Sequence, residues 1–212
     1  MPRKKFLPTY EGCSWGLGID SLAMRPELAG LIGRAVAAWP YIENDLGLLL
    51  GGILQARNPR VLSAFFAIRA SRSQREIIIA AAESEWSEDD LKLLNVSLKK
   101  IGDAESERND LVHGVWGVIE DRNDELIWIH GKHLGPWNAI HVTNENKIEH
   151  RPKHIDMLAN AYVYGKDDIE NSIDKIVKAR TISFKIAELA LWKPGRPSSQ
   201  AEIRDQLRAL LQ

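Results

Sequence analysis

Apolar residues recur at helical intervals along most of the chain. After Pro26, a residue suited to the first turn of a helix, Leu28, Leu31, Ile32, Val36, Trp39, Ile42, Leu46, Leu49, Leu50 and Ile53 share one face of a long helix. Pro40 falls inside that run and predicts a kink or break near Trp39, because it has no amide proton and its ring meets the preceding turn. Asn58-Pro59 has the chemistry of a cap followed by a first helical residue, and a second helix should carry Val61, Leu62, Phe65, Phe66 and Ile68. Ser73 to Glu76 has capping-box spacing and predicts a short helix to about Glu85. Ser87 to Asp90 resembles a second box, opening a helix from about Glu88 to His113 with Gly114 suited to stop it. The stripe of that helix runs Leu91, Leu94, Leu98, Ile101, and then continues through Glu105, Arg108 and Val112.

After Gly114 the pattern changes. Val115 to Glu120 and Leu126 to Ile129 read as two strands around the polar stretch Asp121 to Glu125, a β-hairpin over about residues 115–131. Further strand-like pieces occur at 139–143 and 162–164. Gly165 to Asp168 caps a last long helix with Ile169, Ile173, Ile176, Ile182, Ile186 and Leu189 on its stripe, ending at Trp192 before Pro194. Ser199 to Glu202 is a third capping box, opening an amphipathic helix with Ile203, Leu207, Leu210 and Leu211. That helix is too short to stand alone in water, so it should dock on the body or on a partner subunit. Residues 1–24 mix proline, glycine and charge without a period and read as a mobile N-terminal arm. The fold expected is mainly α: an antiparallel helical bundle over 25–193 with the hairpin inserted after His113, then a linker and C-terminal helix over 194–212.

Composition narrows the function classes. A net charge of -1 over 212 residues carries no overall nucleic-acid signature, so any RNA contact rests on a local patch. The best patch is Arg69, Arg72 and Arg75, spaced by three with no acid between Arg57 and Arg75; the alternative is a solvated face. The single cysteine, Cys13, excludes an internal disulfide and fits a reducing compartment. No apolar run is long enough for a bilayer, and no apolar h-region follows the basic start, so a cytoplasmic protein without membrane contact is expected. The acids Glu83, Glu85, Glu88, Asp89 and Asp90 read as helix-end electrostatics. His130-Gly-Lys-His133 invites a metal reading, but no cysteine or carboxylate accompanies it at ligand spacing. Exposed hairpin-end histidines are the expectation there, with neither metal nor cofactor.

The chemistry gathers in Glu107-Arg-Asn-Asp-Leu-Val-His113-Gly-Val-Trp116. Asn109 and His113 are four apart and share a helix face, while Arg108 and His113 are separated by roughly 140° and can flank one cleft. Arg108 lies near the continuation of the apolar stripe, where a guanidinium needs partners. It is either a structural tie or a phosphate-binding group. Glu43 falls between Trp39 and Leu46; it is either a buried carboxylate paired with Arg108 or a solvated group at the stripe's edge. Glu105 is a second candidate partner for Arg108.

Arg108-Asn109-x-x-x-His113, at the end of a helix in a largely helical chain, resembles the Arg-(four to six residues)-His motif of the HEPN superfamily. The resemblance covers about residues 28 to 192. It implies a HEPN-like helical bundle and a metal-independent RNA endonuclease, of the kind found among toxins and phage-defence effectors. It further implies a homodimer whose two motifs share one active site, an RNA substrate, and a separately encoded antitoxin as partner. RNA supplies its own nucleophile, the 2′-hydroxyl, so His113 would serve proton transfer near neutral pH and Arg108 would steady the phosphorane. Asn109 would orient the imidazole or the phosphate, with Glu43 and Glu105 supporting. Some HEPN domains are non-catalytic binding or dimerisation modules, and that alternative stays open.

Overall fold

The computed structural model describes residues 4–56, 58–135, 157–192 and 199–212. The described residues are mainly helical with one small antiparallel sheet, and the chain divides into two units. One unit takes residues 1–36 and 107–173, the other 37–106 and 174–212. Among the described residues no helix is long and apolar enough to cross a membrane.

The first unit holds the sheet. Strands β1 (Lys4–Lys5), β2 (Trp15–Leu17), β3 (Gly114–Ile119), β4 (Arg122–His130) and β5 (Ala161–Gly165) lie in the order β1-β5-β4-β3-β2, with every neighbouring pair antiparallel. β3 and β4 form the expected hairpin, turning through Glu120 and Asp121, where Asp121 takes a φ of 61° that aspartate tolerates better than most residues. β5 lies where 162–164 looked strand-like; the other such piece, 139–143, is outside the described residues. Strand alternation puts Trp116, Trp128, Tyr162 and Tyr164 on one face. Ile127, Ile129, Ala161 and Val163 lie on the other, buried in one cluster with Phe6, Tyr10, Met157 and Leu158.

From Lys4 to Leu17, the stretch that reads as a mobile arm is instead part of this sheet and its core. Lys4 pairs with Val163 and Trp15 with Ile119, while Phe6 and Tyr10 are only 1% and 2% exposed. Tyr10 Oη accepts from Lys4 Nζ at 2.5 Å and donates to Glu125 Oε1 at 2.7 Å. Scattered apolar residues show no period when each one meets partners built from residues more than a hundred positions later.

Three helices contribute to both units: α1 (Pro26–Ile53), α4 (Glu88–His113) and α5 (Lys166–Ala190). Three lie in the second: α2 (Arg60–Phe66), α3 (Ser71–Glu83) and α6 (Gln200–Leu211). Pro40 does not break α1. An interior proline costs roughly 3 kcal/mol, but Pro40 is exposed, and its neighbours Trp39, Ile42, Leu46, Leu49 and Leu50 are buried at about 1.5–3 kcal/mol for each large side chain. Gly52 is required for close packing, since a Cβ there would lie 2.9 Å from the backbone of Ala190. α3 starts at Ser71 rather than from the Ser73 box, with no side-chain cap on Ala70. Gln74 is engaged instead with the preceding segment, donating to Ile68 O at 2.9 Å and Phe65 O at 3.4 Å.

The other two boxes form. Ser87 Oγ accepts from Asp90 N–H at 3.3 Å, and Ser199 Oγ accepts from Glu202 N–H at 3.1 Å. α6 buries Ile203 and Leu207 completely. Arg204 holds it by a bidentate grip on Asp90, Nε to Oδ1 at 2.7 Å and NH2 to Oδ2 at 2.8 Å. Asp90 is therefore a docking residue and not only a helix-end charge. The Arg204 guanidinium holds the Asp90 carboxyl below the usual carboxylate range. A carboxyl whose pKa is lower folded than unfolded adds stability above the unfolded value, near pH 4, and loses it as pH falls through the folded value. Arg204→Ala is thus expected to cost about 1–3 kcal/mol at pH 7, by leaving a mostly buried charge without its donors. That cost should shrink at pH 3, which urea unfolding at the two pH values measures.

Candidate functional site

A helix leaves its last four carbonyls without intrahelical partners. At the end of α4 two of them are taken by indoles from the aromatic face of the sheet. Trp128 Nε1 donates to Asp110 O at 2.6 Å, and Trp116 Nε1 donates to Leu111 O at 3.2 Å. The helix stops before Gly114 as expected, but for another reason than a left-handed cap. Gly114 opens β3 without a positive φ, and a Cβ there would lie 1.6 Å from Trp128 Nε1. Glycine makes room for the indole.

On this anchored turn stand the motif residues. Arg108 NH1 donates to Asn109 Oδ1 at 3.1 Å. Arg108 Nε is buried and finds no hydrogen-bond partner among the described residues. His113 is the last residue of α4 and is exposed. Five helical residues put Arg108 and His113 roughly 7.5 Å apart along the axis, on different faces.

The supporting carboxylates fall elsewhere. Glu43 is exposed, so it needs no buried partner; the buried carboxylate of α1 is Asp45, 8% exposed, which accepts from Ser183 Oγ at 2.7 Å. Asp45 stands three after Ile42 and four before Leu49, nearer the stripe's centre than Glu43, and burial raises its carboxyl above the usual range. Glu105 is engaged by Arg75 NH1 at 2.6 Å and by Ser71 Oγ, which makes Arg75 and not Arg108 its cation. Arg75 is thereby withdrawn from the expected arginine strip. Arg69 and Arg72 are exposed, Arg72 Nε meeting Glu76 Oε1 at 2.8 Å. All three arginines belong to the second unit and Arg108 to His113 belong to the first.

The hairpin brings to the motif something its sequence does not reveal. His130 pairs across the ladder with Gly114, and a Cβ on Gly131 would lie 4.0 Å from His113 O. Residues 131–135 are helical, so His130 and His133 sit on a strand end and the turn after it rather than on an exposed hairpin tip. Both are half-buried. Lys132 N–H donates to His130 Nδ1 at 3.1 Å, which in the neutral ring places the proton on Nε2. The His130 ring lies edge-on to Trp128, 6.0 Å between centroids, and 6.4 Å from that of His133. Burial, then Lys132 and His130, push the His133 imidazole below its usual range. Among the described residues no group of three histidine, cysteine or carboxylate side chains is arranged to hold a metal. His141, His150 and His154 lie outside the described residues.

Compared with protein-family models, with curated proteins and with solved structures, the chain finds no match.

Proposed function

We propose that this chain is a metal-independent RNA endonuclease of HEPN type, acting as a toxin or defence effector. The observation that carries the reading is the end of α4: an exposed imidazole at His113, with Arg108 five residues earlier on the same helix and its guanidinium bonded only to Asn109 among the described side chains. These groups suit cleavage by the RNA's own 2′-hydroxyl. His113 moves the proton, Arg108 steadies the phosphorane oxygens, and Asn109 holds the guanidinium. The products are a 2′,3′-cyclic phosphate and a 5′-hydroxyl. In this reading two copies of the chain share the site across a homodimer, Arg69 and Arg72 contact the RNA backbone, and a separately encoded antitoxin restrains the enzyme. The same bundle without activity would be a HEPN-like dimerisation or binding module.

The test is cleavage in excess EDTA. Single-stranded or looped RNA should be cut and the matching DNA should survive, because DNA lacks the attacking hydroxyl. A requirement for added divalent metal, or equal cutting of DNA, would overturn the mechanism. No cleavage of varied RNAs, together with a measured dimer, would favour the module.

A further inference from the structure

We propose that His130, Lys132 and His133 complete a phosphodiester-binding site with His113 and Arg108 inside one protomer. The proposal deepens the ribonuclease reading and rests on it for the choice of ligand; its location rests on the ladder. The pairing of His130 with Gly114 and the approach of Gly131 to His113 O bring the end of β4 to the end of α4. All five residues lie in one unit of the chain.

An anion there would be held by directed donors rather than by net positive charge. The C-terminus of α4 carries roughly half a negative charge, which repels phosphate. Two of its carbonyls are engaged by the Trp116 and Trp128 indoles, and Arg108 and Lys132 bring two full positive charges. Of the acids on the same turns, Glu107 accepts from Ser172 Oγ at 3.2 Å, and Asp110 stands one turn before His113. The imidazoles supply donors. His130 is set by the Lys132 amide to offer Nε2–H, and His113 lies exposed at the rim. His133, half-buried beside His130, gives the site a further imidazole for proton transfer alongside His113. Each copy would then bring its own acid and base to the site that the two copies share.

The experiment follows imidazole signals of the full chain by NMR at constant pH and ionic strength, each assigned by a single His→Gln variant. Inorganic phosphate is added first, and then a 2′-deoxy dinucleoside phosphate, which cannot be cleaved. His113, His130 and His133 should move together on one saturating curve, and Lys132→Gln should weaken that curve about two- to fivefold, as for one exposed charge contact. Movement of His113 alone, of His130 and His133 without His113, or of none overturns the inference. The EDTA cleavage assay judges the ribonuclease reading separately. Binding without cleavage keeps the site and loses the enzyme; cleavage with silent His130 and His133 keeps the enzyme and loses this site.

Discussion

Gly114→Ala is expected to destabilise the fold by about 3 kcal/mol, the upper end for overpacking a well-filled core. The added methyl carbon would occupy space 1.6 Å from Trp128 Nε1 and 2.2 Å from its Cδ1, and the indole is only 2% exposed. The ring cannot swing into solvent without giving up its contacts with Tyr162 and Tyr164, centroids 6.0 and 6.2 Å away. Displacing it also frees the Asp110 carbonyl, and a buried acceptor left without its donor costs about 1–3 kcal/mol. Urea unfolding followed by tryptophan emission measures the loss. Trp128→Phe is the companion variant: it removes the N–H and part of the buried ring without any overlap at Gly114, so it should lose the hydrogen bond together with a cavity cost. A Gly114→Ala protein as stable as the parent would show that the indole does not lie over this glycine.

His113→Ala is expected to lower RNA cleavage by about 10²–10⁴, the usual contribution of a positioned acid–base group. Stability should change by less than about 0.5 kcal/mol, because an exposed side chain takes little packing with it. Activity lost together with the fold would mean that the residue is structural, and cleavage that persists would remove His113 from the chemistry. Arg108→Ala should lose cleavage as well. Glu43 is exposed, so no buried carboxylate is stranded by that change and Glu43→Gln is not expected to rescue stability in the Arg108→Ala background. The paired measurement, rate and unfolding midpoint for each variant, separates a phosphate-handling arginine from a tie.

Helical stripes gave the six main helices with nearly their observed ends because their signal is local: a side chain and its neighbour one turn away read the same environment. The boxes at Ser87 and Ser199 were legible for the same reason, since donor and acceptor are three residues apart. The Ser73 box does not form because the helix already starts at Ser71 with Ala70 as its cap residue, which puts Ser73 inside the first turn. Glu43 and Asp45 were confused because a stripe's edge is set by the neighbouring helix and not by the period. The first 24 residues carry no legible period, since the core that buries Phe6 and Tyr10 is completed by Ile119, Ile127, Ile129 and Val163, far later in the chain.

By itself the sequence determined the mainly helical character, the hairpin after α4, and the placement of Arg108, Asn109 and His113 on the last turns of one helix, all consequences of spacing along a single element. Only the tertiary structure decided what stands beside them. A two-residue turn at Glu120 and Asp121 with an unbroken ladder would set Gly114 opposite Ile127. The register instead shifts after Val118↔Leu126, sets Gly114 opposite His130, and places Trp128 where its N–H reaches Asp110. Asn123, Asp124 and Glu125 are passed over in the β3–β4 ladder while Glu125 pairs with Gly165 of β5, and the shift leaves no trace in composition. With this register Trp128 packs over Gly114 and bonds to Asp110, contacts that exist only once strand and helix have met.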